Sequence, residues 1–444
     1  MAYAVDLFCG AGGMSEGLIQ AGFHILFSSD INADVQKTYI NRHHQLGYIQ
    51  GYNTYFHQGD ICELTGDFVW QQIRALQIFN EGGLNPPQQI DAIFGGPPCQ
   101  GFSRAGQRRE DDPRNLLFRE YLRVISQLNP RYVVMENVEG FNDTKFYGFQ
   151  GVTGIQYEDE ITAPEILINE LNIIGYEALP PKVLDASDFG VPQRRKRAIF
   201  IAYRQGENAP EYPRPTIMYD ERATVRQAIG DMIRDEQLRR EENNIPSQYQ
   251  LGSKAGRTPA INGVTVRHEG DFLNNDISRH LPHIVDRFSL YMEGEDGNAL
   301  VRRIKSEGIQ LNNYPHLLAE YSKLLNMAAE NAARRFEAGD VTDEMIEKLL
   351  TKKTIRTRLY KDRPSLTIVT LPDDYISPFE DRIFSVREMA RLQSFDDSFE
   401  FLGKRTTGGK RRRVEIPQYT QVGNAVPPLL AKAVAREILA AMER

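Results

Sequence analysis

"YAVDLFCGAGGMSEGLIQAGFHILFSSD" (Tyr3–Asp30) sets three glycines between a short apolar run and a helical pattern, then returns to a second apolar run. "YAVDLF" (3–8) reads as a buried strand, "MSEGLIQAGF" (14–23) as a helix and "HILFSSD" (24–30) as the next strand. Gly10, Gly12 and Gly13 fall at the turn, where small residues let a ligand approach the backbone N–H groups of a helix N-terminus. Asp30 ends the second strand about twenty residues further on, where a carboxylate can take two ribose hydroxyls. The same glycines also suit a purely structural turn.

Outward from this unit the alternation continues. The helix "NADVQKTYINRH" (32–43) follows, then strands "IDAIFGG" (90–96), "RYVVMENV" (131–138) and "RKRAIFIAY" (195–203). Helical patterns at 116–128 and 163–175 lie between them. Strands alternating with helices over two hundred residues predict an α/β fold with an open, Rossmann-like, mostly parallel sheet covered on both faces. From about 204 to 353 the periodicity becomes irregular, which predicts a second domain of irregular α/β character. Within it, "TVRQAIGDMI" (224–233) reads as a helix. So does the long stretch 316–336, where Leu317, Leu318, Tyr321, Leu324, Leu325, Ala328 and Ala332 recur at helical spacing and read as core. Ser385 with Glu388 forms a capping box that starts a short helix, and 423–442 reads as a loop feeding an apolar helix.

Bulk properties bound the function classes. The 444 residues are 41% apolar and 25% charged, ordinary for a soluble chain of two or three domains. Net charge is -7, from 60 acidic against 53 basic side chains, so any nucleic-acid surface must come from local basic clusters. Three cysteines at unrelated spacings make neither a disulfide framework nor a zinc signature, which points to a reducing compartment. His43-His44 and His280-x-x-His283 lack the surrounding ligands that zinc demands, so no metal is expected. With no basic leader and no stretch near 18 apolar residues, an untargeted protein without a membrane partner is expected.

Several residues could do chemistry. Because the third position of the dinucleotide fingerprint is Ser15 rather than Gly, the loop fits a pyrophosphate poorly. It fits S-adenosylmethionine, which offers a ribose, an adenine and a carboxylate; Asp60, in "QGDI" at the next strand-end position, could reach the adenine edge. In "GGPPCQGFS" (95–103) two prolines fix the backbone before Cys99, which sets the direction of its sulfur on an exposed turn. Attack needs the thiolate, and an ordinary thiol of pKa ~8.5 is only partly ionised at neutrality. Cys9 and Cys62 lack that setting and read as core. The following loop, 99–115, interleaves arginines with acids and reads either as solvated surface or as a lid over a phosphate backbone. Glu136 ends an apolar strand, where desolvation would equip a carboxyl to hold a proton. In "QRRKR" (193–197) strand alternation puts Arg195 and Arg197 on one face and Lys196 on the other, giving two guanidiniums for a thiolate and a phosphate.

In their order along the chain, "DLFCGAGG", "GGPPCQGFS", "ENV", "FGVPQRRKR", "RPSLTI…FSVREMARLQSF" and "YTQVGNAVPP" resemble the motifs of the DNA (cytosine-5)-methyltransferases. The resemblance implies methyl transfer from S-adenosylmethionine to C5 of a flipped-out cytosine in a specific duplex sequence. Cys99 would add to C6, Glu136 would hold the ring N3, and Arg195 and Arg197 would position the base and its phosphate. Phe8, Gly10, Gly12, Gly13, Asp30, Asp60, Pro98, Asn424 and Val426 would line the cofactor pocket. Pro97 (through its carbonyl), Gln100, Ser103 and Arg104 would contact the DNA. The domains implied are catalytic, 1–203 plus 419–444, and target-recognition with hinge, 204–418. A monomer is expected, cytoplasmic and nucleoid-associated in a bacterium or phage-infected cell, nuclear in a eukaryote; a cognate restriction endonuclease is left open. Departures are Ser377, where the family often shows histidine, and the basic insert "GKRTTGGKRRR" (403–413), which fits phosphate contact or a solvated charge run. A tRNA methyltransferase of the same fold and a non-catalytic DNA-binding relative are the competing readings. The sequence after Cys99 and the long middle region favour DNA over tRNA, and the retained Cys99, Glu136 and Arg195 favour an enzyme. A nicotinamide oxidoreductase would leave the cysteine and arginines unexplained.

Overall fold

The computed structural model describes residues 1–98, 117–350, 355–408, 411 and 414–444. Short apolar runs pair into one sheet of eight strands: β1 (Ala2–Leu7), β2 (Phe23–Asp30), β3 (Tyr55–Gln58), β4 (Ala92–Gly95), β5 (Tyr132–Val138), β6 (Tyr176–Ala178), β7 (Lys182–Asp185) and β8 (Lys196–Arg204). Their order is β6-β8-β5-β4-β1-β2-β3, with β7 also on β8. The run β3-β2-β1-β4-β5 is parallel throughout, whereas β8 is antiparallel to β5, and β6 and β7 are antiparallel to β8. This is the mostly parallel α/β sheet expected. Its topology gathers the carboxyl ends of the first five strands and the amino end of β8 on one edge, where ligands of open sheets bind.

Alternation along each strand feeds two cores. Val5, Leu7, Ile93, Val133, Met135 and Phe200 join residues of the helices Leu117–Leu128 and Ala163–Ile173 on one face. Ala4, Phe94, Val134, Ile199 and Ile201 meet the helix α1 (Gly13–Ala21) and the C-terminal helix Pro428–Glu443 on the other. Helix α2 (Ala33–Gln45) follows β2 and is capped by Asn32, whose side chain accepts from Asp34 N and Val35 N. Two short antiparallel ribbons, Lys145–Phe146 with Ile161–Thr162 and Phe149–Gln150 with Gln156–Tyr157, were not foreseen from sequence.

The middle region differs from the irregular α/β character expected. Its regular elements, among the described residues, are helices joined by irregular stretches such as 256–281, and their own core gathers Phe288, Leu300, Ile304, Leu317, Tyr321, Phe336 and Leu349. Among the described residues of that region no strand follows Arg204, where β8 ends; the two-residue pieces Thr357–Arg358 and Tyr375–Ile376 pair just after it. The stretch 316–336 is two helices, Pro315–Leu325 and Ala329–Glu337. Asn326 takes a left-handed conformation at φ 51 and ends the first; Leu324 and Ala328, read as core, are exposed. The capping box of Ser385 and Glu388 starts Val386–Leu392 as expected. A fourth core unites Ala11 of the glycine loop with Val225, Ile229, Phe384, Met389, Phe395 and Val422, so segments distant in sequence close over that loop. Among the described residues no helix is long and apolar enough to cross a membrane.

Candidate active site

At the end of β1 the chain turns through Phe8 at φ 58 and Gly10 at φ 54 before Gly12, at φ 100, caps α1. Gly12 lies where an L side chain is strained. Gly13 is required for a different reason: a Cβ there would come within 2.4 Å of the Val426 carbonyl oxygen. Asp30 braces the loop, its Oδ2 accepting from Gly10 N at 3.0 Å and its Oδ1 from Asn32 N at 2.9 Å. Burial raises the pKa of Asp30, and hydrogen bonds from the Asn32, Gly10 and Ile31 backbone oppose the shift. A Cβ at Gly10 would meet nothing within 4 Å, so the crown of the loop is open, and beside it Ile31 exposes 63% of its surface. Asp60, half-buried past the end of β3, accepts from Cys62 N. A carboxylate and an exposed aliphatic face beside an open loop fit the ribose and adenine of S-adenosylmethionine, while the Gly10 and Gly12 N–H groups are already engaged, by Asp30 and by the Cys9 carbonyl. Asn424 is exposed at the end of the helix Gln418–Asn424, and Val426 stands against Gly13.

Ser15, the departure from the glycine fingerprint, has a structural use. Its hydroxyl donates to Asp6 Oδ2 and lies 2.9 Å from the Tyr39 hydroxyl, and all three side chains are buried under the loop. Burial pushes the Asp6 carboxyl up to about 7; the Ser15 hydrogen bond lowers it and the charge of Asp30 raises it.

The Pro-Pro turn and Glu136 lie on β4 and β5, two and three strand steps from β2. β4 ends at Gly95, and Pro97 is buried while Pro98 is exposed. Glu136 comes from the last turn of β5, and Arg197, paired in register with Val138, comes from the start of β8. Arg197 Nε lies 2.6 Å from Glu136 Oε1, with both side chains only slightly exposed. Asn137, missed in the sequence, is buried and donates from Nδ2 to the Pro97 carbonyl at 3.3 Å. The apolar surroundings of a buried amide were its only signal. Cys99, Gln100, Ser103 and Arg104 lie outside the described residues, as does the rest of the loop up to 116.

Arg195 departs from its expected role. Its side chain is buried, and the guanidinium donates to the carbonyls of Ile368, Gly423 and Ala425 at 3.0, 2.9 and 3.2 Å. It ties β8 to two returning segments of the chain and does not reach into the cleft with Arg197. Gln193 was also missed: it donates to the carbonyl of Leu392 and to Gln393 Oε1 and accepts from Ile368 N, while Gln393 donates to the Val422 carbonyl. Arg195 and the two glutamines form one buried clamp. Cys9 is buried as expected, but Cys62 is exposed, at the turn that Asp60 caps, and is not core. Ser377 is buried in a local turn, its hydroxyl accepting from Phe379 N.

Known proteins agree with this geometry. The profile described as C-5 cytosine-specific DNA methylase matches residues 3–440. The type II methyltransferase M1.HphI of Haemophilus parahaemolyticus is 31% identical over 440 residues, covering 98% of this chain and 86% of that protein. The type II methyltransferase M.DdeI of Desulfomicrobium norvegicum is 28% identical over 442 residues, covering 98% and 88%. Among solved structures, a DNA modification methyltransferase encoded within an Escherichia coli prophage superposes with a TM-score of 0.61 at 20% identity, each chain covered completely. With the glycine loop, the Pro-Pro turn and the Glu136–Arg197 pair on one sheet edge and a profile match across nearly the whole length, the chain belongs to the C-5 cytosine-specific DNA methylases, which use S-adenosylmethionine.

Proposed function

We propose that this chain methylates C5 of a cytosine flipped out of a specific duplex DNA sequence, through a covalent bond between Cys99 and C6. The observation that carries the reading is the Arg197–Glu136 pair, set at the strand end beside the Pro97–Pro98 turn and on the same edge as the glycine loop. A base inside the stack is out of reach, so the target must be extruded.

S-adenosylmethionine, when bound, supplies the methyl group. The protein supplies the activation. The Cys99 thiolate forms a bond to C6, and N3 takes a proton or hydrogen bond from Glu136, which gives C5 enamine character. After methylation, loss of the C5 proton re-forms the C5–C6 double bond and expels the sulfur. Arg197 fixes the Glu136 carboxyl, and Asn137 fixes the Pro97 carbonyl that would face the exocyclic amine. The cofactor would lie against Phe8, Gly10, Gly12, Gly13, Asp30, Asp60, Pro98, Asn424 and Val426. Gln100, Ser103 and Arg104 would meet the DNA.

Residues 1–203 with 419–444 would form the catalytic part, and 204–418 the recognition part and hinge. The helical core around Phe288 and Phe336 supports a separate recognition unit. Relatives named type II methyltransferases support a modification role beside a restriction endonuclease in a bacterial cytoplasm. One chain with a full set of motifs supports action as a monomer.

The test is trapping on duplex DNA carrying 5-fluorocytosine, whose C5 substituent cannot leave as a proton. A stable complex that requires cofactor and is lost in Cys99→Ser is expected, with cofactor affinity retained. Labelled methyl appearing only in tRNA, or no covalent complex, would overturn the reading. Glu136→Gln should slow adduct formation at least tenfold.

A further inference from the structure

Of the basic insert 403–413, residues 409, 410, 412 and 413 lie outside the described residues. The other dense run of positive charge, "QRRKR" (193–197), is described throughout. Exposure alternates along it: Gln193 and Arg195 are buried, whereas Arg194 and Lys196 are exposed. The buried pair is the clamp on the returning chain, bonded to Leu392, Gln393, Ile368, Gly423 and Ala425. Successive side chains of an extended segment point to opposite sides, so Arg194 and Lys196 face away from that clamp. Because β8 is antiparallel to β5, its amino end stands at the carboxyl end of β5, on the edge that carries Glu136.

The backbone beneath the two exposed cations is fixed. Arg194 N donates to the Ser365 carbonyl at 2.9 Å, and Thr367 Oγ1 donates to the Arg194 carbonyl at 2.8 Å. Lys196 pairs in register with Asp185 at the end of β7, and its carbonyl accepts from Arg197 Nη1 at 2.8 Å. Their charges are not matched. Asp185 stands opposite Lys196, but its Oδ1 accepts from Ser187 N, the Ser187 hydroxyl and Arg195 N. Among the described residues neither Arg194 nor Lys196 forms an ion pair with a carboxylate, whereas Arg197, next in the run, pairs with Glu136. In a chain of net charge -7, two rooted cations beside the Glu136–Arg197 pair mark a place for an anion.

We propose that Arg194 and Lys196 grip the phosphates of the DNA strand that carries the target cytosine, in place of Arg195; this rests on the DNA reading above. Arg195 spends its guanidinium on three carbonyls and Arg197 spends its own on Glu136, so neither is free to neutralise a phosphate. A nucleotide that brings its base to Glu136 brings its own phosphate with it, and its neighbours follow at about 3.4 Å of rise each. Lys196 is one Cα step, about 3.8 Å, from Arg197, and Arg194 is three residues away, no more than about 11 Å. Both therefore lie within reach of the strand that enters the cleft. The carboxylate of S-adenosylmethionine is a poorer occupant. The glycine loop at the end of β1 is three strand steps from β8, about 14 Å at about 4.8 Å each.

The experiment compares wild type with Arg194→Gln, with Lys196→Gln, with the double glutamine variant and with a charge-preserving variant, Arg194→Lys with Lys196→Arg. A fifth protein, Arg74→Gln with Arg444→Gln, loses the same charge at the far ends of the helices Gly66–Ala75 and Pro428–Glu443. Duplex affinity is measured on cofactor-loaded protein from about 50 to 300 mM salt, alongside cofactor affinity and urea unfolding. Each cation removed from a phosphate should flatten the log–log salt slope by about 0.9. The single variants should each show that change and the double variant about 1.8, with its affinity down at least tenfold at about 100 mM salt. Cofactor affinity and the urea midpoint should match wild type, and the charge-preserving and distant variants should keep the wild-type slope. An unchanged slope in the double variant overturns the proposal, as does weakened cofactor binding with unchanged slope. An equal change in the distant variant overturns it by showing a net-charge effect, and a charge-preserving variant as defective as the double glutamine variant by showing that shape matters instead. Wild type that neither binds nor traps duplex DNA removes the functional reading itself, an outcome distinct from a wild type that traps DNA while the double glutamine variant keeps its slope.

Discussion

Asp6 has one oxygen on the Ser15 hydroxyl and almost no surface in water, and burial pushes its carboxyl up to about 7. In an unfolded chain the same group ionises near 4. Between about pH 4 and 7 the folded state therefore binds more protons than the unfolded one, and stability from this group falls as pH rises. Above about 7 the cost is fully present, on the order of 4 kcal/mol for a shift of this size. Asp6→Asn keeps a hydrogen-bond acceptor for Ser15 and never ionises. Its melting temperature relative to wild type should climb from pH 5 to pH 8; a pH-independent difference would show that Asp6 does not titrate with folding. At this scale the sequence was partly legible. Glu136, Arg197 and Asp30 could be picked out because motif and strand-end position agree. Arg195 and Arg197 share a strand face, so alternation could not tell the one that reaches Glu136 from the one buried beneath returning chain. Depth is a tertiary property.

Among elements, α1 shows how tightly the glycine loop is built. At Gly13 a Cβ would meet the Val426 oxygen at 2.4 Å and the Ala425 Cβ at 3.0 Å, both from the stretch that follows the helix Gln418–Asn424. Gly13→Ala should therefore push that stretch away, costing about 1–3 kcal/mol of stability and weakening cofactor binding more than tenfold. Urea unfolding and calorimetric titration check the two effects, and wild-type values for both would mean that the stretch yields freely. The strands β1 and β2 were legible because their unbroken apolar runs feed a core on each face of the sheet, and α1 because its apolar residues face one core. The stretch 316–336 misled because its apolar spacing continues across Asn326, where a left-handed residue breaks the helix without any proline or glycine signal. The ribbons between 145 and 162 are two residues per strand, too short for alternation to show.

For the whole molecule, the returning segments are joined to the sheet by buried charge and amide groups as well as by apolar contact. Arg42 of α2 pairs with Glu16 of α1, which also accepts from Thr258, while Asp396 accepts from Arg257. Arg195 makes the corresponding link on the catalytic side, three carbonyls from two segments on one guanidinium. Arg195→Met retains much of the volume but leaves those carbonyls without a donor, and a loss of about 2–5 kcal/mol is expected. Arg197→Met leaves the mostly buried Glu136 carboxylate without its partner but strands no carbonyls, so a smaller loss, about 1–3 kcal/mol, is expected together with slower adduct formation. Denaturant unfolding and single-turnover trapping separate the two, and equal stability in both variants would remove the clamp. This level was least legible, since the partners of Arg195 lie more than 170 residues away and nothing local marks them.

The close packing of α1 on the C-terminal helix has a consequence for biosynthesis. A Cβ on Gly17 would meet Ala431 Cβ and the Pro428 oxygen at 2.5 Å, so the two helices touch backbone to backbone. The ribosome makes the second of these surfaces some 400 residues after the first. Until then, the apolar face of α1 waits uncovered, and the wall that Val426 gives the glycine loop does not exist. Contacts this distant in sequence close late in folding. A nascent chain therefore emerges with the helices around Phe288 and Phe336 already made and its glycine loop still open on one side, so that this edge of the sheet is complete only once residues 426–443 have been made.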